Sequence, residues 1–153
     1  MQILKLSTLF LSIFYRDYNK IIVDNNKITC SGILGHSLCR ELNNELISFN
    51  DRVSQYTTPQ TIKFVPLYLK IHSVDGNPQA ISTVIDTINN KIDCKVITMV
   101  NDHIGGNSIE LFKAGDQKLF HPKAKLYILN PNLNDRKIKR YIKLNSTEAV
   151  DYL

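Results

Sequence analysis

Residues 64–100 constrain this chain more than any other stretch, because they spell a strand, a capped helix and a second strand in succession. Over residues 64–73, Leu67, Leu69 and Ile71 alternate with Tyr68 and Lys70, the period of two that a half-buried strand requires. Ser73-Val74-Asp75-Gly76 reads as a turn. Asn77 is a good N-cap, and Pro78 suits the first helical position, where an N–H would have no partner anyway. Ile81, Val84, Ile85 and Ile88 then fall on one helical face, and Asn89-Asn90 is expected to end the helix. Residues 96–100, Val-Ile-Thr-Met-Val, form a short apolar strand. Two strands joined by a helix are expected to pair parallel through a right-handed crossover.

The pattern extends in both directions. Residues 20–23 and 27–30 predict short strands joined by the turn Asp24-Asn25-Asn26. A helix over residues 37–49 presents Leu38, Leu42, Leu46 and Phe49 on one face. Residues 50–61 are polar, contain Pro59 and read as a loop. Beyond residue 100 come a glycine-containing turn and a helix over residues 106–114, closed by Gly115 at the position after the cap. The turn at His121-Pro122 leads into a strand at 126–129, which Asn130-Pro131-Asn132 breaks. Residues 146–152 predict a short final helix capped by Asn145 or Ser146. The expected class is α/β, in the order βαβαβαβ. With 153 residues and an apolar fraction of 43%, the chain can bury a single sizeable core. It is divided into an N-terminal segment, residues 1–26, and one domain, residues 27–153.

Composition narrows the function classes. The net charge of +5 comes from acids and bases that are interspersed except near the C-terminus, which argues for solvated lysines rather than a nucleic-acid surface. Cys30, Cys39 and Cys94 are an odd, scattered set with no CxxC spacing, which argues against a disulfide framework and fits a reducing compartment. The four histidines show no HExxH pairing, and no metal or cofactor is expected from them. The N-terminus, MQILKLSTLFLSIF, falls short of the ~20 apolar residues that a membrane span needs. It is read as a first strand or short helix that packs on the domain or on a neighbour; the alternative is a signal peptide, although no A-x-A-type cleavage site follows.

Residues 96–115 carry the candidate chemistry. A strand, a glycine turn and a helix expose backbone N–H groups that suit an anion or a nucleophile. Gly105-Gly106 is read either as a phosphate cradle or as a tight turn with close packing. Ser108 could form a displaced dyad with His103 or His121. The alternative is a polar residue of the first helical turn, bonded to backbone. Asp102 and His103 are an acid–base pair or, since neighbours on a turn point apart, part of a solvated loop. His72 and Ser73 stand at a strand end, with His72 expected in a hydrogen-bonding structural role. The basic run over residues 136–143, interleaved with Ile138, Tyr141 and Ile142, reads as a solvated face or a subunit contact, the alternative being contact with an anionic surface.

Taken in order, several motifs between residues 27 and 152 resemble the proteolytic subunit of the Clp protease, a serine peptidase family on the crotonase-like spiral of βαβ units. Ile71-His72-Ser73-Val74-Asp75-Gly76 resembles the family's Ile-Asn-Ser-Pro-Gly-Gly. The helix Gln79 to Ile88, the strand Val96-Ile97-Thr98-Met99-Val100 and Leu111-Phe112-Lys113-Ala114-Gly115 follow in family order. His121-Pro122 to Asn130-Pro131 and Leu144 to Tyr152 complete the resemblance. It places the nucleophilic serine position on Gly106 and the general-base position on Leu129, and neither residue can perform that step. The family's handle segment is largely missing between Pro131 and Leu144. The triad's aspartate lies beyond that segment in the family, and neither Lys137 nor Tyr141, near its expected place here, can serve.

The resemblance further assigns an oxyanion hole to the backbone N–H groups of Gly76 and Asn107. Asp75 replaces the first glycine of the family pair, and its carboxylate is expected beside the hole, where it would repel a developing oxyanion. The implied function is a non-catalytic structural subunit of a Clp peptidase ring. Its partners would be other Clp proteolytic subunits and an AAA+ Clp chaperone, with no nucleic acid and no membrane. The alternatives are an active divergent serine endopeptidase using Ser108 or residues of a partner subunit, and a crotonase-like acyl-CoA binder. The implied compartment is the plastid, with the cytoplasm as alternative.

Overall fold

The computed structural model describes residues 19–129 and 141–153; the predicted N-terminal element, apart from residues 19–26, and Lys137 lie outside them. Among the described residues, eight strands and four α-helices follow in order: β1 (Lys20–Asp24), β2 (Lys27–Ser31), α1 (His36–Ser54), β3 (Pro66–His72), α2 (Pro78–Lys91), β4 (Lys95–Val100), β5 (His103–Gly105), α3 (Ser108–Lys113), β6 (Gln117–Phe120), β7 (Lys125–Leu129), β8 (Tyr141–Leu144) and α4 (Ser146–Ala149). The class is α/β with a mostly parallel sheet.

Two sheets share the strands. The larger has the order β1-β2-β3-β4-β6. In it β1 and β2 form an antiparallel hairpin, and β2, β3, β4 and β6 run parallel. The hairpin turn holds Asn25 at φ 52°, a left-handed conformation that asparagine tolerates better than most residues. The boundary between residues 26 and 27 therefore falls at this hairpin, and β1 belongs to the same sheet as β2. The smaller sheet has the order β5-β7-β8, with β5 parallel and β8 antiparallel to β7.

The period of two over β3 is realised in full. Leu67, Leu69 and Ile71 are buried, while Pro66, Tyr68, Lys70 and His72 are half-buried. Leu38, Leu42, Leu46 and Phe49 bury one stripe of α1, and Ile81, Val84 and Ile88 one stripe of α2. Each such side chain contributes about 1.5–3 kcal/mol of hydrophobic stabilisation. Asn77 caps α2 through its side-chain oxygen, which accepts from the Ala80 N–H at 3.0 Å. Asn145 caps α4 in a reciprocal capping box with Glu148.

Several expectations need correction. α1 continues five residues past Phe49, because the Asn50 side chain bonds outside the helix, accepting from the Asp93 N–H at 2.8 Å and the Cys94 N–H at 3.3 Å. α2 runs through Asn89-Asn90 to Lys91; the Asn90 amide donates to Asp86 at 2.7 Å instead of competing for backbone. α3 starts at Ser108, not at residue 106. Gly115 is not left-handed. An added Cβ there would strike the Thr98 side chain, so the glycine permits close packing of the chain on β4. Strands β5, β6 and β8 were not expected.

Candidate functional site

Residues 73–77 cross from the large sheet to the small one, and this crossing builds the site. β3 ends at His72, Ser73 forms a parallel bridge with Ile104, and Gly76 forms another with Leu34. The Gly105 N–H donates to the Ser73 carbonyl at 2.9 Å, and the Gly106 N–H donates to the Tyr127 carbonyl at 3.0 Å. Backbones approach closely here. A Cβ on Gly105 would lie 2.8 Å from both Tyr127 Cβ and the Val74 carbonyl oxygen. Gly106 has φ 53°, the left-handed region that glycine enters without a steric penalty.

At the centre of this crossing one carboxylate oxygen gathers two backbone donors. Asp75 Oδ1 accepts from its neighbour's N–H, Gly76, at 2.8 Å and from the Asn107 N–H at 3.1 Å. The Asn107 side-chain amide returns a bond to the Gly76 carbonyl at 2.9 Å. Two convergent N–H groups at these distances have the geometry that stabilises an oxyanion. Here the anion is supplied by the chain itself. The carboxylate does not stand beside the two donors as a repelling neighbour; it occupies them. A Cβ on Gly106 would run into the same carboxylate.

No protein-family model matches the chain. No curated protein sequence matches it either.

The other candidate residues fall as follows. Ser108 is fully buried, and its hydroxyl lies 2.8 Å from that of Ser73 rather than bonding backbone. Ser73 donates its single proton to the Asp75 carbonyl at 2.9 Å. Ser108 must then be the donor in the serine pair, which commits its proton to Ser73. His121 lies in the turn before β7 and accepts the Lys123 N–H at 3.0 Å through Nδ1. Leu129 ends β7, two residues past Tyr127, and pairs with Tyr141 across the small sheet.

Sequence reasoning missed the grouping of His72, Asp102 and His103. Because Ser73 pairs with Ile104 in a parallel bridge, the preceding residues His72 and His103 are brought side by side. Their rings meet edge to face with centroids 4.1 Å apart. The Asp102 carboxylate turns back over both, its Oδ2 lying 3.4 Å from His103 Nδ1 and 3.7 Å from His72 Nδ1. The expectation that Asp102 and His103 point apart in a solvated loop fails because His103 opens β5, which fixes it against the end of β3. Partial burial lowers the His72 pKa from its ordinary value, as do the neighbouring His103 and Lys70, while Asp102 opposes them. The only local signal was Ile104, the one apolar side chain of the three-residue β5, set between His103 and the Gly105-Gly106 turn.

Proposed function

We propose that this chain is a Clp proteolytic-subunit homologue that has no peptidase activity of its own and acts as a structural subunit in a Clp peptidase ring. The carrying observation is Asp75. Its carboxylate fills the two N–H groups that the resemblance assigns to the oxyanion hole, beside a glycine at the nucleophile position. A substrate carbonyl would have to displace an anion that already holds both donors. No hydroxyl stands at residue 106 to attack it, and Leu129 offers no base.

The α/β class with a mostly parallel sheet and the order of the sequence motifs are consistent with the same reading. The partners are catalytic Clp proteolytic subunits and, through the ring, an AAA+ chaperone. With the handle segment largely missing, two rings are not expected to stack through this subunit. The plastid is the compartment that the resemblance suggests.

A tagged copy expressed with catalytic Clp proteolytic subunits tests this reading. Native mass spectrometry is expected to show mixed rings, and a fluorophosphonate probe is expected to label the partners while leaving this chain unlabelled. Labelling of any serine in this chain, with Ser108 the first to check, would support the active-peptidase alternative. Failure to enter any ring would remove the structural-subunit reading.

A further inference from the structure

We propose that His72, Asp102 and His103 form a binding site for a divalent transition-metal ion of the zinc type. One donor atom from each of the three residues can be chosen so that all lie within 4.8 Å of one another. Ligands of a tetrahedral zinc ion sit at about 2.0–2.2 Å from it, which places them roughly 3.3 Å apart. The Asp102 oxygen already lies 3.4 and 3.7 Å from the two imidazole nitrogens. The two Asp102–histidine separations are thus already close to the spacing that an ion among the three would need.

The donor set has a definite preference. Two imidazoles and one carboxylate suit zinc, cobalt, nickel or copper, whereas magnesium and calcium take mostly oxygen. Three protein ligands leave at least one coordination position for water or a small ligand. The two histidines are largely covered, with side-chain exposures of 25% and 19%, while Asp102 is 70% exposed. An ion can reach the site from solvent on the carboxylate side.

The backbone holds the ligands where they are. His72 pairs with Ser31 in the large sheet, and its carbonyl accepts the Gly32 N–H at 3.0 Å. His103 pairs with Lys125 in the small sheet, and the Asp102 carbonyl accepts the Lys125 N–H at 2.9 Å. One ligand thus sits on each sheet, with the third in the short segment between β4 and β5. A bound ion would tie the two sheets together and raise stability as its concentration rises above its dissociation constant.

The test is calorimetric titration of the full chain with zinc, paired with cobalt absorption spectra. Wild type is expected to bind one ion per chain and to show the intense visible bands of four- or five-coordinate cobalt. His72→Ala, His103→Ala and Asp102→Asn should each weaken binding at least tenfold, while His36→Ala, a histidine on α1, should leave it unchanged. Circular dichroism checks that each variant is folded. Asp102 is exposed, so Asp102→Asn remains informative if a histidine variant fails to fold. Absence of saturable binding in wild type overturns the proposal, as does undiminished binding in Asp102→Asn or in a folded histidine variant.

Discussion

Asp75 Oδ1 accepts the Asn107 N–H at 3.1 Å, a bond across 32 positions of sequence that locks the start of α3 onto the chain crossing between the sheets. The same oxygen accepts the Gly76 N–H at 2.8 Å. Bonds to a charged acceptor contribute about 1.5–3 kcal/mol when buried. This site is only partly covered, so Asp75→Ala is expected to lower unfolding stability by about 1–2 kcal/mol. Denaturant titration measures it, and an unchanged midpoint would show that water replaces the carboxylate without loss.

Gly106→Ser is expected to be destabilising and to leave the chain without peptidase activity. A side chain at φ 53° is strained by roughly 1–2 kcal/mol, and its Cβ runs into the Asp75 carboxylate. Asp75→Gly should remove the second part of that penalty. A double-mutant cycle is therefore expected to show a coupling of roughly 1 kcal/mol between the two positions. Additive behaviour would mean that the chain shifts to separate residue 106 from residue 75.

The buried serine pair is expected to respond asymmetrically. Ser73→Ala leaves the Ser108 hydroxyl buried without its acceptor, a loss of about 1–3 kcal/mol. Ser108→Ala leaves Ser73 still donating to the Asp75 carbonyl, so its effect should be smaller. The double alanine variant should be no less stable than Ser73→Ala alone, since no hydroxyl is then stranded. Equilibrium unfolding of the three variants checks the order.

How much was legible depended on whether the signal was local. Leu67, Leu69 and Ile71 declare their strand through a period of two, and Asn77-Pro78 declares the start of α2 by its capping chemistry. Both act within a few residues, and both are realised in the fold. The short strands were lost because β5 has only three residues and β6 is a largely exposed edge with Leu119 facing solvent. Asp75 was recognisable as a departure from a glycine pair, but not as the partner of Asn107. That bond depends on how the 73–77 crossing lies against the turn before α3, which no window of sequence contains. The approach of His72 to His103 is hidden for the same reason, being set by a bridge between Ser73 and Ile104.

Two thiols predict an alkaline limit to stability. Burial, reinforced by Cys39, pushes the Cys30 thiol from its ordinary 9.0 up to about 12, and burial pushes Cys39 up to about 11. Folded pKa values above the unfolded ones mean that the unfolded chain releases these protons first as pH rises. Stability from this source is therefore complete below pH 9 and declines as pH climbs toward 11 and 12. Lysine and tyrosine titrate in the same range, so the comparison must be with a Cys30→Val/Cys39→Val variant, whose unfolding midpoint should fall less steeply above pH 9. Near neutral pH a maleimide should label Cys30 in the folded chain far more slowly than in denaturant, because thiolate is scarce and the Sγ, 3.6 Å from the Lys70 carbonyl, is shut away from solvent. Rapid native labelling at Cys30 would show that this part of the large sheet opens readily.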